Sequence, residues 1–227
     1  MTFTSWTLFS LFAKRSTINL SECWLALEKK KTQAERREES ERKLFDALVT
    51  IINEDGIQMA TCESIGLKAG YSRGLTIQRL GKKDEMFVKL IDRMVSETEE
   101  HITSQIPAET DAREAIRRYI DIHFDDLQNK PSYQAYFALM AGSVTDYALL
   151  GDAVTRAHDF VKRLLVSYLE RGKAEGAFPK DLDSGIQAVS IGSYLLGVAL
   201  QQKLHPSLDI TLLKPAAYSL IPSLPDK

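Results

Sequence analysis

The sequence predicts an all-α protein, and three observations predict it. Apolar residues recur at helical spacing through most of the chain, as in Leu44, Phe45, Leu48, Ile51 and Ile52. No stretch shows the strict alternation of a half-buried strand. Breaks between the periodic segments carry Gly56, Pro107, Pro131, Gly151 and Pro179, residues that punctuate helices. The chain has 227 residues, 44% of them apolar and 26% charged, which is ordinary for a folded soluble protein. Its formal net charge is −2, so any surface for nucleic acid has to be local.

The elements follow in order. Residues 1–31 read as a flexible extension. The apolar run at 6–13 is too short to span a bilayer, and Lys14-Arg15 follow it rather than precede it, unlike a signal peptide. A first helix over 32–54 starts among Lys29, Lys30, Lys31, Arg36 and Arg37, and ends at Asp55-Gly56. Thr61 can cap a short second helix in which Ile65, Leu67 and Ala69 supply apolar contacts and Gly66 lets another helix cross close by. Gly70 suits a residue leaving that helix in the left-handed region. Ser72 can cap a third helix over 73–80, and Gly81 can stop it. A connecting helix over 84–104 carries Met86, Phe87, Leu90, Ile91 and Met94 as its buried stripe. Beyond Pro107, further helices are expected over about 112–127, 132–147, 152–172 and 183–204.

Helix, glycine turn and helix over 61–83 form a helix-turn-helix pattern. On its second helix Ser72, Thr76 and Leu80 share the inward side, while Arg73, Gly74, Ile77 and Gln78 face out. Arg and Gln can pair bidentately with guanine and adenine edges in a major groove, and Leu75 or Ile77 can touch thymine methyls. Thr61, Cys62, Arg79 and Lys83 are the candidates for phosphate contact. Gly56, Thr61, Ile65, Ala69-Gly70, Ser72, Gly74 and Lys83, with the apolar helix before them, resemble the DNA-binding domain of the tetracycline-repressor (TetR) family. The match covers about residues 35–95, and the remainder only in general plan. Two positions depart from the pattern. Ile77 stands where the family usually has a Tyr that reaches DNA, and Leu80 stands where it usually has an inward Phe. The resemblance implies a DNA-binding head over 32–83, a helical ligand-binding and dimerisation body over 84–227, and a helix over 84–104 that couples the two. It implies double-stranded DNA with a palindromic operator, a homodimer and a small-molecule effector as partners.

Catalysis finds little support. There is no glycine-rich phosphate loop, nucleophile elbow or paired His-Glu metal motif. No cofactor and no metal site is expected, because His101, His123, His158 and His205 form no ligand-spaced cluster with Cys23 or Cys62. The two cysteines read as free thiols of a cytoplasmic protein. His123, Tyr133, Tyr136, Phe137, Met140 and Tyr147 are the candidate ligand-pocket residues, since pockets favour aromatic walls with a few polar groups. The last long helix is apolar on several faces yet too short and too polar at its flanks for a membrane span, so it is expected to be buried all round. Pairing with a twin achieves that, through Phe160, Leu164 and Tyr168 on one helix and Ala188, Gly192, Leu195, Leu196 and Ala199 on the next. The sequence thus predicts a ligand-responsive repressor, with a helical small-molecule-binding protein or enzyme as the alternative.

Overall fold

The computed structural model describes residues 31–143 and 150–224, which fall into two compact units meeting between Glu39 and Ser40. The first unit, as far as it is described, is the opening of helix α1 (Gln33–Glu54). Thr32 and Glu35 cap it reciprocally. The Glu35 N–H donates to Thr32 Oγ1 at 3.2 Å, and the Thr32 N–H donates to Glu35 Oε2 at 2.6 Å. Except for Lys31, the predicted extension lies outside the described residues, as does Cys23.

The second unit begins with the amphipathic part of α1, which buries Leu44, Leu48, Ile51 and Ile52. A 3-10 turn (Ile57–Met59) leads to α2 (Cys62–Ala69), α3 (Arg73–Leu80) and the long α4 (Lys83–Gln105). Both short helices carry the caps their sequence predicts. Thr61 and Ser64 exchange hydrogen bonds at the start of α2, and Ser72 Oγ accepts the Leu75 N–H at 3.2 Å at the start of α3. Between them Gly70 is left-handed, with φ 76° and ψ 30°, so the chain reverses within a few residues.

The two short helices cross at Gly66. A Cβ built there would stand 2.8 Å from Thr76 Oγ1 and 2.9 Å from the Tyr71 carbonyl oxygen. Only a residue without a side chain lets α3 lie this close, and Thr76 and Leu80 are fully buried on its inner side. One expectation fails here. Ile65 is buried, but Leu67 is 82% exposed. In an eight-residue helix whose inner side is Ile65 and Gly66, the next position turns to solvent.

The remaining helices are α5 (Ala112–Asn129), α6 (Pro131–Ser143), α7 (Gly151–Ala174) and α8 (Ser184–Leu204), then a 3-10 turn (Ile210–Leu213) and α9 (Lys214–Ser219). Among the described residues there are no strands. The helix expected over 132–147 is described only as far as Ser143. Helix α7 packs against α8, α5 and α4, α6 packs on α4, and α9 packs on α5. The last helix, α9, was not anticipated. It is held by Lys214 Nζ on Asp121 Oδ1 at 3.0 Å and by the Tyr218 hydroxyl donating to the same carboxylate. Asn53, near the end of α1, donates to the Pro131 carbonyl at 2.8 Å and accepts from Lys203 Nζ at 3.1 Å, so it ties α1 to the start of α6 and the end of α8.

Two glycines make opposite predictions. Gly66→Ala is expected to lower the unfolding free energy by about 1–3 kcal/mol through overpacking. Gly74, on the outer side of α3, has only Ser72 Oγ near its missing Cβ, at 3.9 Å, so Gly74→Ala is expected to raise stability by roughly 0.5–1 kcal/mol. Urea unfolding of both variants beside the unaltered chain checks the two signs.

Candidate nucleic-acid interface and ligand cavity

Helix α3 presents two unlike sides. Thr76 and Leu80 are sealed inside, while Arg73, Gly74, Ile77 and Gln78 are exposed and Leu75 is half-buried. Among the described residues the side chains of Arg73 and Gln78 have no hydrogen-bond or ionic partner, so their donors and acceptors are available outward. The four phosphate candidates are placed differently. Thr61 is exposed, though its hydroxyl already caps α2. The Cys62 thiol is half-buried and lies 3.7 Å from the Gly81 carbonyl oxygen. Arg79 is half-buried and its Nε donates to Ser40 Oγ at 3.2 Å. Lys83 is half-buried, with Nζ 3.4 Å from the Gln58 carbonyl oxygen and 5.8 Å from the centre of the Phe87 ring. The end of α3 is clamped to α4, because Lys89 Nζ donates to the Arg79 carbonyl at 3.0 Å.

Farther along α4, Met94, Val95 and Thr98 form one wall of a cavity with an empty volume of about 620 Å³, its open mouth included. Tyr119 and His123 come from α5, and Tyr133, Tyr136 and Phe137 from α6. Ala157, His158, Phe160 and Val161 come from α7, and Gly192, Leu195 and Leu196 from α8. Four predicted pocket residues, His123, Tyr133, Tyr136 and Phe137, are therefore brought together. Met140 is buried beside the cavity, 2.9 Å by its sulfur from His158 Nε2. Tyr147 lies outside the described residues. Sequence reasoning missed Tyr119, although it stands one turn before His123 on the same side of α5. A tyrosine at core spacing reads as plain core until its surroundings are known.

His123 is the polar centre of the cavity wall. Its Nε2 lies 3.1 Å from the Leu195 carbonyl oxygen and its Nδ1 lies 2.9 Å from the Tyr133 hydroxyl. A carbonyl can only accept, so Nε2 carries the proton. Burial pushes the imidazole pKa down to about 4, against which the Leu195 hydrogen bond acts only in part. The ring is thus neutral near pH 7, Nδ1 accepts, and Tyr133 donates. One histidine joins α5, α6 and α8 in this way. The Tyr133 and Phe137 rings meet it edge to face, with centroids 5.6 Å and 5.9 Å away. Burial also raises the Tyr119, Tyr133 and Tyr136 phenols above their ordinary range, so they stay protonated.

The residues assigned by sequence to a subunit interface divide. Ala188, Leu195 and Ala199 are buried in the protomer's own core, so their side chains are not available to a second copy. Helix α8 is apolar on several faces, and its periodicity could not say which face turns inward. Its outward face carries Ile186, 67% exposed, and Val189, 49% exposed. Phe160, Leu164 and Tyr168 on α7 are half-buried. Phe160, Gly192, Leu195 and Leu196 serve the cavity instead of, or besides, any interface. Among the described residues no three His, Cys, Asp or Glu side chains gather as a metal group, and no helix is long and apolar enough to cross a membrane.

No protein-family model matches the chain. The HTH-type transcriptional regulator BetI of Stenotrophomonas maltophilia is 30% identical over 118 residues, which are 51% of this chain and 58% of that protein. The aligned stretch is therefore little more than half of the relative's length. A Rhodococcus sp. protein described as a TetR-family transcriptional regulator superposes with a TM-score of 0.68 at 17% identity, covering 81% of this chain and 97% of that one. The transcriptional regulator FadR of Bacillus subtilis, solved in complex with stearoyl-CoA, superposes with a TM-score of 0.69 at 17% identity, covering 79% of this chain and 97% of its own. The chain has the fold of TetR-family regulators, and the resemblance seen in the sequence extends through the helical body.

The state of His123 makes stability depend on pH. The imidazole titrates near 6.5 when unfolded and near 4 when folded. Between those values the unfolded chain binds more protons, so stability falls as pH drops from 6.5 towards 4, by at most about 3 kcal/mol from this group. His123→Gln removes the titration. The loss of unfolding free energy between pH 7 and pH 4.5, followed by urea, is expected to be roughly 1–3 kcal/mol smaller in the variant.

Proposed function

We propose that this chain is a ligand-responsive, DNA-binding transcription regulator of the TetR type. In this reading it is a cytoplasmic repressor and not an enzyme, and it binds a palindromic operator as a homodimer. The observation that carries the reading is the outer side of α3. A helix fixed from within by Thr76, Leu80 and the Gly66 crossing turns an unpartnered Arg73 and Gln78 to solvent. Arg73 and Gln78 read base edges, Gly74 permits close approach, and Leu75 and Ile77 meet thymine methyls. Thr61, Cys62, Arg79 and Lys83 contact phosphates through the groups their internal bonds leave over.

Two copies pair through the outward face of α8, with Ile186 and Val189, and through Phe160, Leu164 and Tyr168 of α7. Two-fold pairing sets the half-sites about one helical turn, or a small multiple, apart. The effector occupies the cavity. It acts by favouring one placement of α4, and it can do so only as far as it binds the two states unequally. The solved FadR with stearoyl-CoA supports a ligand site in this kind of body. The cavity alone would equally suit a small-molecule-binding protein with no business on DNA, and selection of duplexes separates the two.

Selection from random duplexes with the full chain is expected to enrich one inverted repeat. No enrichment, or a chain that remains monomeric on its selected site, overturns the regulator reading. On that site Arg73→Ala is expected to cost about 1–3 kcal/mol and to relax preference at one base pair per half-site. Lys83→Ala is expected to weaken all sequences alike and to lower the slope of log affinity against log salt by about one per subunit. Equal loss across all sequences for Arg73→Ala would count against base reading.

A further inference from the structure

The walls of the cavity also define what can occupy it. We propose that the effector is an uncharged, largely apolar molecule with a hydrogen-bond acceptor that Tyr119 and Tyr136 address. This rests on the reading of the cavity as an effector site. The walls carry no Asp, Glu, Lys or Arg; of their two histidines, His123 has its protons fixed by Leu195 and Tyr133, and His158 is held below its ordinary pKa by partial burial. Most of the lining is hydrocarbon or aromatic ring, which an apolar body can contact throughout.

Among the polar groups of the lining, Thr98 is half-buried and His158 is exposed, so the polar groups on well-buried residues that remain are two phenols. Tyr119 is 4% exposed and Tyr136 is 9% exposed, both line the cavity, and neither phenol has a hydrogen-bond partner among the described residues. Their rings are sealed in the wall while their hydroxyls open on the cavity, so a ligand acceptor placed between these phenols can take hydrogen bonds that no protein group takes. The Tyr133 hydroxyl is not free to do the same, since it donates to His123.

Charge is excluded by the same walls. An anion would find no lysine or arginine on them. Lys130 lines an adjoining hollow instead, and its Nζ is held 2.8 Å from the buried Asp126 carboxylate and 2.7 Å from His101 Nδ1. A cation would find no carboxylate on the walls. An ion in such a site loses its hydration with nothing to replace it.

Four compounds of nearly one shape test this by calorimetry on the full chain at pH 7.5: 2-acetylnaphthalene, 2-ethylnaphthalene, 2-naphthoate and 2-naphthylmethylammonium. The ketone is expected to bind roughly three- to tenfold more tightly than the hydrocarbon. Both ions are expected to bind at least about a hundredfold more weakly than the ketone. In the double variant Tyr119→Phe, Tyr136→Phe the ketone should fall to the level of the hydrocarbon, whose own affinity reports that the cavity is intact. Either ion matching the ketone, failure of all four to bind up to their solubility, or an unchanged ketone-to-hydrocarbon ratio in the variant overturns the proposal. The comparison within the unaltered chain stands even if the variant does not fold. No DNA is present, so these affinities test the ligand chemistry of the cavity separately from the duplex selection, which tests the regulator reading.

Discussion

Helix α4 belongs to two packed regions at once, and it cannot bend cheaply between them. Near its start Met86, Phe87 and Leu90 are sealed in the core shared with α1, α2 and α3. Two turns on, Met94, Val95 and Thr98 stand on the cavity wall. The helix is 23 residues long, with no proline or glycine inside it. A displacement imposed at the cavity therefore reaches the other end as a tilt or a shift, because close-packed side chains transmit strain rather than absorb it. Lys89, which holds the Arg79 carbonyl, makes the last turn of α3 follow α4. The orientation of the exposed side chains on α3 is in this sense set by what lies beside Met94.

The far end of the same helix is fastened through Lys130, whose ammonium lies 2.8 Å from Asp126 Oδ1 and donates to His101 Nδ1 at 2.7 Å. Asp126 is buried, and neither of its oxygens finds a well-aligned hydrogen bond, so the attraction is mainly coulombic. The desolvation of such a carboxylate offsets much of that attraction, and its net stabilisation is small. What it supplies is position. Lys130 sits in the turn between α5 and α6, so this pairing sets α4 against the two helices that carry His123, Tyr133 and Tyr136. Arg156 on α7 adds an exposed pair with Asp92 at 3.0 Å, whose contribution in solvent is slight.

Most of this architecture was legible in the sequence because it rests on local chemistry. Caps announce helix starts, and Thr61 and Ser72 do so here; a glycine announces a left-handed exit, and Gly70 makes one. The bounds of α3 coincide with those expected, since Ser72 and Gly81 mark both ends. What could not be read was direction about an axis. In α8 apolar residues stand on several faces, so no stripe distinguishes the buried Ala188, Leu195 and Ala199 from the outward Ile186 and Val189. Leu67 misled for the opposite reason: in a helix of two turns a single apolar residue has no stripe to belong to. The cavity was half legible. Aromatic density on α6 pointed to it, whereas the contributions of α4, α7 and α8 depend on contacts far apart in sequence.

Groups with no internal partner are the ones left to meet another molecule. Much of this chain's polarity is answered within the fold. Asn53 bridges Pro131 and Lys203, His123 is bonded at both nitrogens, and Asp121 receives Lys214 and Tyr218. Even Arg79 and Lys83, which composition alone would mark as free cations, lean on Ser40 and Gln58. Arg73 and Gln78 on one helix face, and Tyr119 and Tyr136 on one cavity wall, have no such side-chain partner among the described residues. The first pair is outside, rigidly held and able to match base edges. The second lines the cavity and is able to match one neutral acceptor. Helix α4 runs from the turn after the first pair to the wall beside the second, so one rigid element borders both.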